Sequence, residues 1–134
     1  MKNTIRILLI FFITFNLLGV VYADNMLSKP PRIVFKKSTH NFGKVNKDTE
    51  LNFTFKFTNK GSGTLTIDNV QSSCGCLITS MEEKKDFAKN ESGEIKVKFS
   101  TQGRSGHQEK VIIVHSNDPN TPHKVLKIIC DIEE

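Results

Sequence analysis

The chain has 134 residues, of which 37% are apolar and 25% are charged, and its formal net charge is +5. This length indicates one domain, and the apolar share excludes a disordered chain. Basic and acidic residues are interspersed, without the basic stripe or stacking surface aromatics typical of nucleic-acid readers, so no nucleic-acid partner is predicted.

The first 23 residues have the pattern of a secretory signal peptide. Lys2 and Arg6 form a basic start, residues 7–21 are almost entirely apolar, and small residues precede the predicted cleavage site after Ala23. The alternative is a membrane anchor, but this run of 15 residues is shorter than the roughly 20 that a spanning helix needs. No cysteine lies near the exit, which argues against a lipid anchor. We therefore predict an exported protein, periplasmic or secreted, with no membrane span after signal removal.

After the signal peptide (1–23) we predict a short N-terminal linker over residues 24–31 and one domain over residues 32–134. Loss of Lys2 and Arg6 leaves 17 of the 19 basic residues against 14 acidic ones, a net charge of +3. A domain of this size buries roughly 65% of its unfolded surface, enough for one core without metal or disulfide support.

Alternation of apolar and polar residues is the dominant signal in the mature chain. Residues 32–35 predict a first strand, and Leu51 to Phe57 places an apolar side chain at every second position, as in a strand with one face in a core. Further strands are predicted, in chain order, at residues 65–70, 95–99, 111–114 and 125–132, whereas residues 81–88 are expected to form a charged loop. Clusters of Gly, Ser, Asn, Asp and Pro separate the strands. The pattern predicts an all-β fold, an immunoglobulin-like antiparallel β-sandwich of about seven strands.

Several short motifs follow one another in a characteristic order. They are His40-Asn41-Phe42-Gly43-Lys44-Val45, Thr58-Asn59-Lys60-Gly61, Cys74-Gly75-Cys76 and Ser116-Asn117-Asp118-Pro119. Over about residues 32–132 the chain resembles the bacterial domain-of-unknown-function family DUF1573, which is immunoglobulin-like and related to the ASPM–SPD-2–Hydin and major-sperm-protein domains. The resemblance implies a fold and an envelope location, but no activity, because the family's role is unassigned. Cys130 departs from the family pattern, since a glycine usually stands there.

The three cysteines are the only residues with evident chemistry. Cys74 and Cys76 can close a small disulfide with each other, or one of them can bond to Cys130 across a longer loop. In the oxidising compartment predicted here a disulfide is favoured. The alternative is that the cysteines are structural, because Cys130 alternates with apolar residues of the last strand and cysteine is often buried.

A thiol or metal cluster is the third interpretation of the cysteines. In the expected strand order the Cys-Gly-Cys motif, Cys130 and His107 share one pole of the domain, although the intervening strand separates the outer two by about 9–10 Å. A closed site for a soft metal such as copper or zinc needs a fuller ligand set than these residues supply. We therefore predict no metal and no cofactor. The other histidines, at positions 40, 115 and 123, are expected to be solvated at strand ends.

Two functions from different classes compete. The first is a non-enzymatic binding or scaffolding module of the bacterial envelope, whose partner is another envelope protein engaged through strand edges or loops. The second is thiol-redox or copper and zinc handling by the Cys-Gly-Cys motif. Hydrolysis is not supported, because neither a Ser-His-Asp spacing nor a Gly-x-Ser-x-Gly motif occurs.

Overall fold

The computed structural model describes residues 29–133, so the predicted signal peptide and most of the predicted linker lie outside the described residues. The described residues form nine β-strands: β1 (Ile33–Phe35), β2 (Thr39–Asn46), β3 (Glu50–Asn59), β4 (Leu65–Ser72), β5 (Leu77–Met81), β6 (Asp86–Phe87), β7 (Ser92–Ser100), β8 (Gly106–Ser116) and β9 (His123–Glu133). Within residues 29–133 there is no helix with the length and apolar character needed to cross a membrane.

The strands form two sheets, which confirms the predicted all-β, immunoglobulin-like sandwich. One sheet has the order β1-β3-β7-β5 and the other the order β2-β9-β8-β4-β6. All pairs are antiparallel except β2 and β9, which run parallel. About seven strands are expected, of which six segments are predicted individually, and the structure adds β2, β5 and β6, all at sheet edges. Edge strands here are short or only half-buried, so their sequence patterns are weak.

The core lies between the sheets and is built from the predicted alternation. On β3, Phe55 and Phe57 are each 1% exposed, and Leu51 and Phe53 on the same face are half-buried nearer the end of the sandwich. β7 pairs with β3 along its length and contributes further buried side chains, namely Ile95, Val97 and Phe99. From β8 and β9 the opposite sheet adds Ile112, Val114, Leu126 and Ile128.

Asn59, from the Thr-Asn-x-Gly motif, is a fully buried hydrogen-bonding centre. Its Oδ1 accepts hydrogen bonds from the backbone N–H groups of Arg32 at 3.1 Å and Gly61 at 2.9 Å. Its Nδ2 donates to the carbonyl oxygens of Gly63 at 2.8 Å and Phe87 at 3.0 Å. One amide therefore satisfies backbone groups of three separate segments, which a buried polar side chain requires.

The glycine of the same motif is required by close backbone packing. A Cβ on Gly61 would lie 2.0 Å from the carbonyl oxygen of Pro30 and 2.6 Å from the nitrogen of Arg32. Asp118 has a comparable role to Asn59 in the Asn-Asp-Pro motif, because its buried Oδ2 accepts a hydrogen bond of 2.9 Å from the backbone of Ile33. These motif residues hold the start of the domain onto the sandwich.

Candidate functional site

The Cys-Gly-Cys motif lies where the chain crosses from one sheet to the other. β4 belongs to the five-stranded sheet and ends at Ser72, and β5 belongs to the four-stranded sheet and begins at Leu77. Within this crossover Cys74 and Cys76 are joined in a disulfide, and both side chains pack against the core. The Cys74 carbonyl also accepts a hydrogen bond of 3.2 Å from the Leu77 N–H. The crossover is therefore a tight turn closed by a backbone hydrogen bond and a disulfide.

Cys130 is not part of this disulfide, and His107 points away from the core against which the disulfide packs. Cys130 is a free thiol, 2% exposed, and its register partner on β8 is Gln108. His107 pairs instead with Asp131, and its Nδ1 lies 2.7 Å from the Asp131 Oδ1 among exposed side chains. Since side chains alternate along a strand, Cys130 faces the core while His107 faces solvent. Cys130 and His107 are thus near each other along the strands, but their side chains lie on opposite faces of the sheet.

The thiol of Cys130 is poorly suited to chemistry in this position. Burial raises its pKa, and the negative charge of Asp131 raises it further, against a smaller opposing effect of Lys110. The thiolate is the form that attacks disulfides and binds metals. Within residues 29–133, no group of three or more His, Cys, Asp and Glu side chains is arranged to hold a metal ion. Among the three cysteines, the Cys74–Cys76 disulfide is therefore the better candidate for sulfur chemistry.

An open strand edge adjoins the crossover. β5 is the last strand of its sheet and pairs with β7. The Ser100 N–H donates to the Cys76 carbonyl at 3.2 Å, which fixes the alternation of bonded and non-bonded pairs along these two strands. By this alternation the backbone N–H and C=O of Thr79 point away from β7, toward the open side. Within residues 29–133 no strand pairs with these groups, and unpaired groups of this kind are a template for another strand.

β5 is not among the strands predicted from the sequence, although its residues alternate in burial. Leu77, Thr79 and Met81 are buried or half-buried, whereas Ile78 and Ser80 are exposed. The alternation covers five residues and has an isoleucine on the solvent side, so it looked less regular than the alternation of β3. The exposed isoleucine is what makes this edge a candidate binding surface.

A shallow groove crosses the outer face of β3, β7 and β5 beside this edge. Its volume is about 310 Å³, and Ile78 lines it together with Lys96 and Lys98. Ile78 is 60% exposed, the largest exposure among the large apolar side chains of the described residues. Lys98 is also paired with Glu50, with the Nζ and Oε1 atoms 2.9 Å apart. The groove therefore presents the exposed apolar side chain of Ile78 beside two lysines.

The remaining histidines are more involved in contacts than a solvated strand end suggests. His40 stacks on Phe53 with ring centroids 3.6 Å apart, and burial together with Lys37 lowers its pKa. His115 and His123 contact each other, with 2.9 Å between their Nδ1 atoms. The expectation that these three side chains are simply solvated is therefore wrong for His40 and His115, which are half-buried, whereas His123 is exposed.

Comparison with known proteins identifies the family. Residues 33–132 match the family described as "Protein of unknown function (DUF1573)". No curated protein matches the chain.

Solved structures share the fold at low sequence identity. A protein of unknown function from Porphyromonas gingivalis W83 is 15% identical with a TM-score of 0.69, over 78% of this chain and 48% of that one. The VesB protease of Vibrio cholerae is 15% identical with a TM-score of 0.65, over 74% of this chain and 31% of the protease. A PapD-like domain of human CEP192 is 7% identical with a TM-score of 0.60, over 78% of this chain and 87% of that domain. The chain thus spans about half, or less, of the first two proteins, and these similarities establish its fold alone.

Proposed function

Because the chain belongs to the DUF1573 family, for which no activity is defined, we propose that it is an exported, non-enzymatic binding module. Its partner is another protein of the envelope, and the observation that carries the proposal is the open edge of β5. The partner adds an extended segment to this edge, which extends the four-stranded sheet by one strand.

The backbone of β5 supplies the affinity in this proposal. Thr79 offers an N–H donor and a C=O acceptor on the open side of β5. An added strand, antiparallel or parallel, can form hydrogen bonds with both groups. Burial of these groups against a partner strand exchanges bonds to water for bonds to protein, each with a net stabilisation of about 0.5–1.5 kcal/mol. Backbone hydrogen bonds are the same for any partner sequence, so they do not determine which partner binds.

The outer face of the sheet supplies the selectivity. Ile78 places an exposed apolar side chain beside the edge, and Lys96 and Lys98 lie next to it in the groove. A partner segment with an apolar residue flanked by acidic ones complements this arrangement. An exposed isoleucine on an edge strand otherwise promotes aggregation, so its coverage by a partner accounts for its presence.

Buried polar side chains support the non-enzymatic part of the proposal. The four buried polar residues of the described chain are all hydrogen-bonded within the domain: Asn59, Thr101, Ser116 and Asp118. Thr101, for example, bonds to the backbone of Asn46 and Thr49. These groups stabilise loops and strand ends and are not directed into a cleft.

A photo-crosslinking residue with an apolar diazirine side chain close in size to isoleucine, placed at position 78 of the exported chain in its native host, keeps the apolar contact and tests this proposal. We expect a specific adduct with one envelope protein, identified by mass spectrometry. Thr79→Pro removes the outward N–H without removing a bond to β7, and it should abolish the adduct. Ile78→Lys should weaken capture of the same partner by the purified domain.

Val125→Lys is the matched control, because Val125 is also an exposed apolar residue, at 44%, but belongs to the other sheet. Each variant is first shown to be folded by circular dichroism and by its unfolding transition. The proposal is overturned if the crosslinked protein is captured equally by the wild type, Ile78→Lys and Thr79→Pro, or if position 78 yields no adduct.

The alternative function is thiol-redox or copper and zinc handling by the Cys-Gly-Cys motif. Metal handling there would need further ligands, and within residues 29–133 no group of three or more His, Cys, Asp and Glu side chains is arranged to hold an ion. The tight crossover gives the disulfide a structural role instead.

A further inference from the structure

Two histidines form a cross-strand pair on the outer face of the five-stranded sheet. His115 at the end of β8 is the register partner of His123 at the start of β9. Their Nδ1 atoms lie 2.9 Å apart, and their ring centroids are 4.7 Å apart. Neighbouring pairs of the same ladder fix this register, so the two imidazoles are held together by a regular part of the sheet rather than by a loop.

The hydrogen bonds of the pair define where its lone electron pairs lie. Gln71 on β4 places its Oε1 at 3.0 Å from the Nε2 of His115. An amide oxygen only accepts, so this contact favours the tautomer of His115 with its hydrogen on Nε2 and a lone pair on Nδ1. In that tautomer Nδ1 of His123 is the donor between the two rings.

We propose that His115 and His123 bind a divalent cation of the copper(II) or nickel(II) type through their Nδ1 atoms. The Nδ1 hydrogen of His123 passes through water to its own Nε2, so both rings stay neutral and each directs an Nδ1 lone pair at the ion. Metal–imidazole bonds measure about 2.0–2.1 Å. Two such bonds at right angles place the nitrogens roughly 2.8–3.0 Å apart, which is the separation found here. Square-planar or tetragonal coordination by nitrogen and oxygen is the geometry of copper(II) and nickel(II), and water completes it.

Gln71 has the role of a supporting residue in this site. Histidines that bind metals usually donate their other ring N–H to an oxygen acceptor, which fixes the tautomer and the orientation of the ring. The Gln71–His115 contact has this arrangement before any metal is bound. His123 is exposed, so its ring is able to turn and direct its own lone pair at the same point.

The other histidines lack these features. His107 directs its Nδ1 to Asp131 at 2.7 Å, and His40 is stacked on Phe53. Neither has a second histidine within hydrogen-bonding distance in the described structure. They serve as internal controls for binding by a single surface imidazole.

The test is titration of the untagged mature chain with Cu(II) and with Ni(II), followed by calorimetry and, for Cu(II), by electron paramagnetic resonance. We expect one ion per chain, copper bound more tightly than nickel, and hyperfine structure from two nitrogens. His115→Asn and His123→Asn should each weaken binding at least tenfold and leave at most one nitrogen signal. His107→Asn, the matched control, should change neither quantity.

Gln71 supplies a second, graded test. Gln71→Leu should weaken binding by about tenfold, as loss of such a supporting contact commonly does, and Gln71→Glu should restore it because a carboxylate also accepts from Nε2. Bound metal should raise the unfolding temperature of the wild type but not of His123→Asn. The inference is overturned if no ion binds, if His123→Asn binds as the wild type does, or if replacing both cysteines of the Cys-Gly-Cys motif is what abolishes binding. None of these outcomes bears on the β5 edge, so the two proposals fail independently.

Discussion

At the scale of single residues, the side chains that define the family resemblance act mainly on the backbone of their own domain. Asn59 bonds to four backbone groups, and Asp118 accepts hydrogen bonds from Ile33, Asn120 and Thr121. The buried carboxylate is stabilised by these N–H donors, as a buried charge requires. The motifs that identify the family therefore stabilise the loops and strand ends of the sandwich. A binding surface is expected among residues outside these motifs.

Phe55 is predicted to be a major contributor to core stability. It is 1% exposed on the inner face of β3, and truncation to Ala should lower the free energy of unfolding by about 3–5 kcal/mol because it leaves a cavity. Denaturant titration measures this loss. Asn52→Ala on the exposed face of the same strand is the control and should change stability by less than about 0.5 kcal/mol. A loss below about 1 kcal/mol for Phe55→Ala would mean that the strand is displaced by one residue.

His40 should make stability depend on pH. Burial and the positive charge of Lys37 lower its pKa from 6.5, so the unfolded chain binds a proton more readily than the folded one. Its contribution to stability is therefore present above pH 6.5 and is lost as the pH falls through the lowered folded pKa. Unfolding transitions measured across this range should show that acid destabilises the wild type more than His40→Phe. Equal pH profiles for the two proteins would contradict the prediction.

The sequence predicts the main strands but not which residues lie opposite one another on neighbouring strands. Alternation on β3 and β7 placed Phe55 and Phe99 correctly in the core, because a half-buried strand has a period of two. The register between β8 and β9 could not be obtained in this way, since it depends on the turn that joins them. That register places His107 opposite Asp131 and brings His115 to His123. Strand positions alone place Cys130 and His107 at the same end of the domain. They do not show that the two side chains point to opposite faces of the sheet.

At the scale of elements, the crossover between β4 and β5 links the two sheets. The disulfide closes a ring of only three residues, Cys74 to Cys76, at this point. Chain entropy depends on ring length, so the stability gained by this disulfide is small compared with that of a long-range bridge. Its effect should be local, on the turn that carries β5 to its edge position.

Loss of this disulfide should therefore lower the free energy of unfolding by about 1.5 kcal/mol. Reduction of the wild type and the double substitution Cys74→Ser with Cys76→Ser should have the same effect, measured by denaturant titration. The matched control is the double variant itself, which reductant should not affect further. A loss near 4 kcal/mol would instead indicate a bridge to Cys130, which closes a ring of nearly 60 residues. Non-reducing peptide mapping distinguishes the two directly.

At the scale of the whole molecule, the two sheets present different outer faces. The four-stranded sheet carries Ile78 and lysines beside an open edge, and the five-stranded sheet carries the histidine pair and Val125. The proposed protein partner and the proposed metal ion therefore occupy opposite sides of the sandwich. A chain with both sites occupied is sterically permitted, and each site is tested without altering the other.

Export is the remaining prediction for the whole chain, and it rests on the sequence before the sandwich. Lys29 is the first described residue, and its carbonyl accepts a hydrogen bond of 2.8 Å from Gly63. Cleavage after Ala23 would leave residues 24–28 between the new N-terminus and the first described residue. Protein purified from the periplasm or the medium should begin at Asp24 by N-terminal sequencing. Its intact mass should be lower than that of the full chain by the mass of residues 1–23.

Substitution of Ala23 by a bulky residue such as Phe should retain the uncleaved precursor in the membrane fraction, while Asn25→Ala should be processed normally. Exported protein that still begins at Met1 would contradict the assignment of a signal peptide.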